Sequence, residues 1–395
     1  MNNFSLAGAS FLCVLALAPE ASFGQDDLVQ TASKNYLPSN TSKALTAEWI
    51  SKWEKNIIDE SRNHYCEKEM GEEIGWLISP LLGGYYYGYL ATGDKKWVDM
   101  LVKCADAWIA RAVTEPDGYL GWPKDGASGT PVDGLDHFYA DSLVGEAMVL
   151  RFIVLMSKQI VMEPRLTELF GAKASSYMRL SEDIFEKWDQ RGAWRNTERG
   201  GMISVVLPFG IDRKTGTWTS GYERRNAPGN GFSHPTNKAN LVATWLLAMS
   251  DATQKLSYKE RAEKWFLLMK SRMLPKEDGT FRIWNYWQPA GPWDYKLIAI
   301  PKHWIGIHPN PGYYSIDVES IVTAYEHGVV FNDEDIQHLI ETALAGKRDW
   351  VALSPFSNAI QQNFEETNKP DSWAGLSSTP RYLPLRVPNT DSNRQ

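Results

Sequence analysis

The stretch LVGEAMVLRFIVLMSKQI (143–160), followed by Glu163-Pro164 and then LTELFGAKASSYMRLSEDIFEKW (166–188), decides the fold. Its first half is apolar on almost every side, so a helix made from it must be covered all round. Its second half places apolar residues at helical spacing and leaves a charged outer face, so that helix needs cover on one side only. Glu163-Pro164 punctuates the two as a short turn. The unit is a helical hairpin with a buried and a half-buried arm.

Working outward, the same unit recurs. Gly75 to Ala91, the turn Thr92-Gly93-Asp94, and Lys95 to Val113 with Trp97, Leu101, Cys104, Ala105 and Trp108 on one face form an earlier copy. Asn240 to Met249, then Asp251 to Ser257 and Tyr258 to Met273, form a later one. Ile316 to His327, Asn332-Asp333, and Glu334 to Leu344 form another. Ala47 to Asn63, with Ile50, Trp53, Ile57 and Ile58, predicts a leading helix. No alternating pattern persists long enough to demand a parallel sheet. The copies share architecture more than sequence, so the expected fold is all-α: an (α/α) toroid, complete or incomplete, of helical hairpins.

Between the hairpins lie 114–135, 190–233 and 275–315, rich in Gly, Pro, Trp, Tyr and Asn. Loops of that length in a compact domain usually carry function. A small β-hairpin is expected from Met202 to Val206 and Thr217 to Thr219.

The N-terminal run Phe4 to Ala18, followed by Ala21-Ser22-Phe23-Gly24, reads as a secretory signal (1–24), with a polar linker over 25–45. The toroid is expected over 46–350, with a C-terminal extension over 351–395. No later segment is apolar enough to span a bilayer, so the expected location is secreted or periplasmic. Cys13 leaves with the signal; Cys66 and Cys104 remain, either bonded or as two buried thiols. A net charge of −7 speaks against nucleic-acid binding.

Behind such a leader, a series of helical hairpins with 17 Trp, 17 Tyr and ring-rich connectors resembles the secreted (α/α) toroid carbohydrate enzymes, among them single-domain alginate lyases and unsaturated-uronyl hydrolases. The resemblance covers about residues 45 to 350. It implies a poly- or oligosaccharide partner, neutral or anionic. The stretch nearest to the Asn/His signatures of toroid lyases is Ser233-His234-Pro235-Thr236-Asn237-Lys238-Ala239-Asn240.

Sugars bind by stacking on aromatic faces, and Trp122, Trp284, Tyr286, Trp287, Trp293 and Trp304 are the stacking candidates. His137, His234, His303 and His308 stand at loop or helix-start positions, where an imidazole can move protons near neutral pH. A uronate lyase must neutralise a carboxylate and take the adjacent proton. His234, Asn237 and Asn240 fit the neutralising and base roles at a helix start. Tyr313, Tyr314, His303 and His308 fit base and acid, and Arg224 and Arg225 fit carboxylate clamps. A hydrolase needs two carboxyl groups instead. Asp133, Asp136, Asp141 and Glu146 are the earlier candidates, and Asp294, Asp317 and Glu319 the later ones. Asp141 and Glu146 stand out because an acid in an apolar stretch needs a partner. No familiar metal motif, Walker loop, dinucleotide fingerprint or nucleophile elbow occurs, so no cofactor is expected. Three readings follow: a polysaccharide lyase acting by β-elimination, then a glycoside hydrolase, then a glycan-binding protein without catalysis.

Overall fold

The computed structural model describes residues 51, 53–125, 139–195, 200–211, 215, 217–222, 230–273, 284–297, 300–306 and 311–345. The readings made for the leader, the linker, the C-terminal extension, Asp133, Asp136, His137, Arg224, Arg225 and His308 lie outside these residues.

The architecture is the expected (α/α) toroid, seen as an arc of hairpins. Helix α1 (53–61) and the short α2 (Tyr65–Lys68) lead in, and a π-helical turn, Ile74–Ile78, runs directly into α3 (Ser79–Thr92). Then follow α4 (Lys95–Ile109), α5 (Leu143–Met162), α6 (Pro164–Gln190), α7 (Thr236–Thr253), α8 (Leu256–Lys270), α9 (Pro311–Glu326) and α10 (Asp333–Ala345). Helices α3, α5, α7 and α9 pack on one another in chain order, and α4, α6 and α8 each pack on the helix before them. That is the pattern of an inner layer with an outer one.

The sequence explains this division. Helix α5 buries residues from every side of its circumference, including Leu143, Val144, Ala147, Val149, Leu150, Ile153 and Val154. Helix α6 buries a single stripe: Leu166, Ala174, Tyr177, Leu180, Ser181, Ile184, Lys187 and Trp188. Each fully buried large apolar side chain in such a stripe contributes roughly 1.5–3 kcal/mol. In α3, glycines let neighbours close in: a Cβ at Gly84 would lie 2.5 Å from Ile57, and one at Gly88 2.6 Å from Trp53.

Caps and turns match the reading. Gly93 closes α3 in the left-handed region (φ 66°), and Asp94 accepts the Lys96 amide to start α4. Ser142 caps α5, and Pro164 opens α6. Cys66 and Cys104 are disulfide-bonded, with Cα atoms 5.3 Å apart. The bond ties α2 to α4.

Short turns join each inner helix to its outer partner, so the long connectors all return to the end where inner helices begin. There they pair in small pieces: β1 (Val113–Thr114) with β2 (Leu120–Gly121), β3 (Lys124–Asp125) with β4 (Tyr139–Ala140), and β5 (Tyr295–Leu297) with β6 (Ile300–Pro301), all antiparallel. Single bridges stitch the connectors together, Tyr139 to Phe209 and Ile203 to Ser233. The expected hairpin between 202–206 and 217–219 is corrected. Met202 bridges Trp194 instead, and Trp218 bridges Ile211, so each of the two stretches pairs with a nearer part of the connector.

Candidate active site

The starts of α5 and α7, the stretch before the π-helical turn and the two later connectors line a cleft with a cavity volume of about 270 Å³. Glu72 lines it from just before the π-turn, Asp141 and Ser142 from the start of α5, and Ser204 and Phe232 from the middle connector. His234 and Lys238 reach it from the start of α7, and His303 from the last connector. Residues separated by more than two hundred positions meet here because each ends or begins a connector.

At the start of α7, polar groups are left without partners. The Nε2 atom of His234 is buried and has no hydrogen-bond partner among the described residues, and neither amide atom of Asn237 has one. Asn237 is 1% exposed. Burial and the Lys238 ammonium lower the His234 imidazole to about 3, so it is neutral at physiological pH. Lys238 Nζ stands 2.5 Å from Glu72 Oε1, which also accepts the Trp76 indole at 3.2 Å.

At the start of α5 both Asp141 oxygens and both Glu146 oxygens accept hydrogen bonds. Lys187, 0% exposed on the apolar stripe of α6, donates to Asp141 Oδ2 (2.7 Å), Glu146 Oε1 (2.6 Å) and the Leu120 carbonyl (2.9 Å). Arg191 donates to both Asp141 oxygens at 3.1 Å and to Glu115 Oε2 at 3.0 Å. Tyr222 donates to the same Glu115 oxygen at 3.0 Å, and the Trp188 indole donates to Glu146 Oε2.

The remaining oxygen of Glu115, Oε1, is buried and accepts nothing. A proton on it resolves the vacancy. Burial, the charge of Asp141 and a hydrogen bond to Asp141 raise Glu115 to about 10, so it stays neutral and donates to Asp141. Burial works against the Asp141 anion, but Lys187, Arg191 and the Glu115 hydrogen bond outweigh it and hold Asp141 below the usual carboxylate range. Glu146 is raised by burial and by Asp141, against the pull of Lys187. The two carboxyls thus hold one proton between them at the edge of the cleft.

Beside the cleft lies an aromatic shelf. Tyr286 stacks on Trp304 (ring centroids 5.5 Å apart) and on Tyr313 (5.4 Å), with His303 6.2 Å away. Trp304 is 46% exposed, the side chain best placed to meet a sugar face. Burial, then Tyr313 and Glu72, raise the Tyr286 phenol to about 12.

Several expected site residues are placed elsewhere. Trp122 is 0% exposed, stacked on Trp108 at 3.8 Å with its indole donating to the Trp108 carbonyl, so it has no face for a sugar. Trp287 and Trp284 are likewise buried: the first donates to the Ser233 carbonyl, the second to Asp317. Trp293 is a latch, donating to Ser233 Oγ at 2.9 Å. Asn240 lies in the core, bridging the Trp265 indole (2.7 Å) and Asp317 (2.6 Å), and the buried Tyr314 donates to the Trp284 carbonyl. Burial raises Asp317 to about 7, tempered by its Trp284 and Asn240 donors. Asp294 fastens the middle connector to the last by accepting the Ser233 amide and hydroxyl. Glu319 lies 3.6 Å from Arg151 in the inner layer, away from the cleft's lining.

Sequence reasoning passed over Glu72, Glu115, Lys187, Arg191 and Lys238. For Lys187 a signal existed: a lysine among Leu180, Ile184 and Trp188 interrupts the apolar stripe of α6, and an ammonium there must have a carboxylate waiting for it.

No protein-family description and no curated protein matches this sequence. Among solved structures, a family 76 glycoside hydrolase from a bovine Bacteroides thetaiotaomicron strain is similar at 10% identity and a TM-score of 0.43, over 81% of this chain and 57% of that one. A family 76 glycoside hydrolase (mannosidase) from Bacteroides thetaiotaomicron matches at 11% identity and a TM-score of 0.43, over 82% and 89%. An unsaturated glucuronyl hydrolase from a Bacillus species matches at 14% identity and a TM-score of 0.40, over 77% and 65%. This chain therefore spans less than two thirds of the first and last of these proteins. No residue role is transferred from them.

Among the described residues no group of His, Cys, Asp and Glu is arranged to hold a metal ion, and no helix is long and apolar enough to cross a membrane.

Proposed function

We propose that the chain is a carbohydrate-active enzyme, delivered out of the cytoplasm by its leader, that hydrolyses a glycosidic bond in the cleft between Asp141 and His234. One observation carries this reading: Asp141 lines the cleft within a buried cluster of Glu115, Lys187 and Arg191, beside a shelf of stacked rings.

Glycoside hydrolysis needs an acid that is still protonated at neutral pH and a second group on the other side of the bond to direct water. The pair supplies the first. The proton held by Glu115 passes through Asp141 to the leaving oxygen, which leaves Glu115 ionised, and Lys187 and Arg191 stabilise that negative charge. Glu72, the other carboxylate on the cleft, takes the proton of the attacking water. Trp304, Tyr286 and Tyr313 seat a sugar ring.

A second reading, β-elimination on a uronic-acid glycan, is favoured by the unpartnered Nε2 of neutral His234. There the Lys238 ammonium and the amide-rich start of α7 neutralise the uronate carboxylate, and a neutral imidazole accepts the adjacent proton. Burial is the main cause that depresses His234; an anion bound at this point offsets only the smaller contribution, the Lys238 charge.

The test is a panel of neutral and uronate polysaccharides incubated with the purified chain. Hydrolysis gives new reducing ends without ultraviolet absorbance from a new C4–C5 double bond. Appearance of that absorbance, lost in His234→Ala and kept in Asp141→Asn, would replace the first reading by the second. Binding with neither product would leave a glycan-binding protein.

A further inference from the structure

The inner helices begin at the cleft and end at a second cavity of about 330 Å³ on the side of the short turns. Its walls come from all four inner helices: Tyr87 from α3, Arg151, Lys158 and Gln159 from α5, Asp251 from α7, and His327 just after α9. By the helical rise of about 1.5 Å per residue, Arg151 and Lys158 stand roughly 12 and 22 Å along α5 from Leu143 at the cleft. The two cavities do not share a lining residue.

Among the described residues, two buried donors here have nothing to donate to. Arg151 is 4% exposed; its guanidinium lies 5.2 Å from the Phe152 ring, and its nearest carboxylate, Glu319, is 3.6 Å from Nη1, beyond good hydrogen-bond distance. Its Nη2 is buried without a partner. Tyr87 is 0% exposed, and its hydroxyl is also buried without a partner. Nearby, Lys158 Nζ (3.3 Å) and His327 Nε2 (3.1 Å) converge on one oxygen, Asp251 Oδ2, and His327 Nδ1 faces the Thr323 carbonyl at 2.7 Å.

Each unmet buried donor destabilises the fold, and a ligand with acceptor oxygens removes both penalties at once. A charged ligand suits the site better than a neutral one, because the Arg151 guanidinium is under-compensated by a carboxylate 3.6 Å away and Lys158 already shares its counter-ion with His327. We infer that this cavity is a binding site for a small oxyanion, a carboxylate or a phosphate, gripped by Arg151 Nη2 and Tyr87 Oη with Lys158 adding charge. The inference does not rest on the hydrolase reading, since no cleft residue takes part.

The test is calorimetry and thermal denaturation of the purified full chain with sodium phosphate and with sodium acetate, each against sodium chloride at equal ionic strength. At least one of the two anions is expected to bind one per chain and to raise the melting temperature. Phosphate binding without acetate binding assigns the phosphate class, and the reverse assigns carboxylates. Tyr87→Phe keeps the ring and removes a hydroxyl that holds nothing in the fold; it should weaken binding about tenfold while leaving the unliganded melting temperature unchanged or higher. Arg151→Gln should abolish binding, and Lys238→Met at the cleft should leave it intact. Failure of both anions to stabilise beyond chloride overturns the inference. So does undiminished binding by Tyr87→Phe, or loss of binding in Lys238→Met, which would put the anion in the cleft.

Discussion

Asp141 and His234 stand at the starts of neighbouring inner helices and line one cleft, yet their surroundings are opposite. Both Asp141 oxygens have donors, and two buried cations answer the carboxylates around it. Around His234 an imidazole nitrogen and a whole amide are buried with no partner among the described residues. The first region is held by its own polar network, which stabilises it only while complete. The second is left open, and an open polar site destabilises the fold until a ligand fills it. One cleft thus combines a rigid wall with an expectant one.

Breaking the rigid wall should give the largest effect. Lys187→Met removes the cation that Asp141 and Glu146 share and should lower stability by about 3–5 kcal/mol, read from chemical denaturation. A loss below about 1 kcal/mol would show that the network is not what holds the start of α5. Asp141→Asn should reduce turnover roughly a hundred- to a thousandfold, with the circular dichroism spectrum retained. Near-normal turnover would remove Asp141 from the chemistry.

Glu115→Gln sharpens the comparison through pH. Glu115 is raised from 4.5 to about 10 in the folded chain, so between those values the folded state holds a proton that the unfolded state has lost. Its contribution to stability is therefore complete below about pH 4.5 and falls as pH rises toward 10. Glutamine, an isostere of the neutral acid, should flatten that slope in denaturation midpoints measured from pH 5 to 9. An unchanged slope would mean that the pair holds no proton.

The smallest effect, and opposite in sign, is expected on the open wall. Asn237→Leu should stabilise the chain by about 1 kcal/mol, because it deletes two unmet buried groups without changing volume greatly. A loss of stability instead would mean that the amide has partners the open-wall picture denies it.

Much of the fold was legible. The alternation of all-round apolar and one-sided helices, with Gly, Pro and Asp at the turns, marks the inner and outer layers, and the caps at Asp94 and Ser142 follow from local chemistry. Of the candidate residues singled out in the sequence, His234 and Asp141 both line the cleft, and Tyr286 and Trp304 stack on each other. The other loop tryptophans were misread because indole-rich connectors also need a core of their own. Trp122, Trp284 and Trp287 supply it, each spending its N–H on a buried acceptor.

What the sequence alone determined is the hairpin repeat, since periodicity and turn chemistry act over a few residues. Only the tertiary structure decided which polar residues meet. Glu115 and Asp141, or Glu72 and Lys238, lie far apart along the chain, and nothing local marks them as partners. Their pairing arises because short turns on one side of the arc force every long connector to the other, where desolvation makes a lone charge untenable and selects its neighbour.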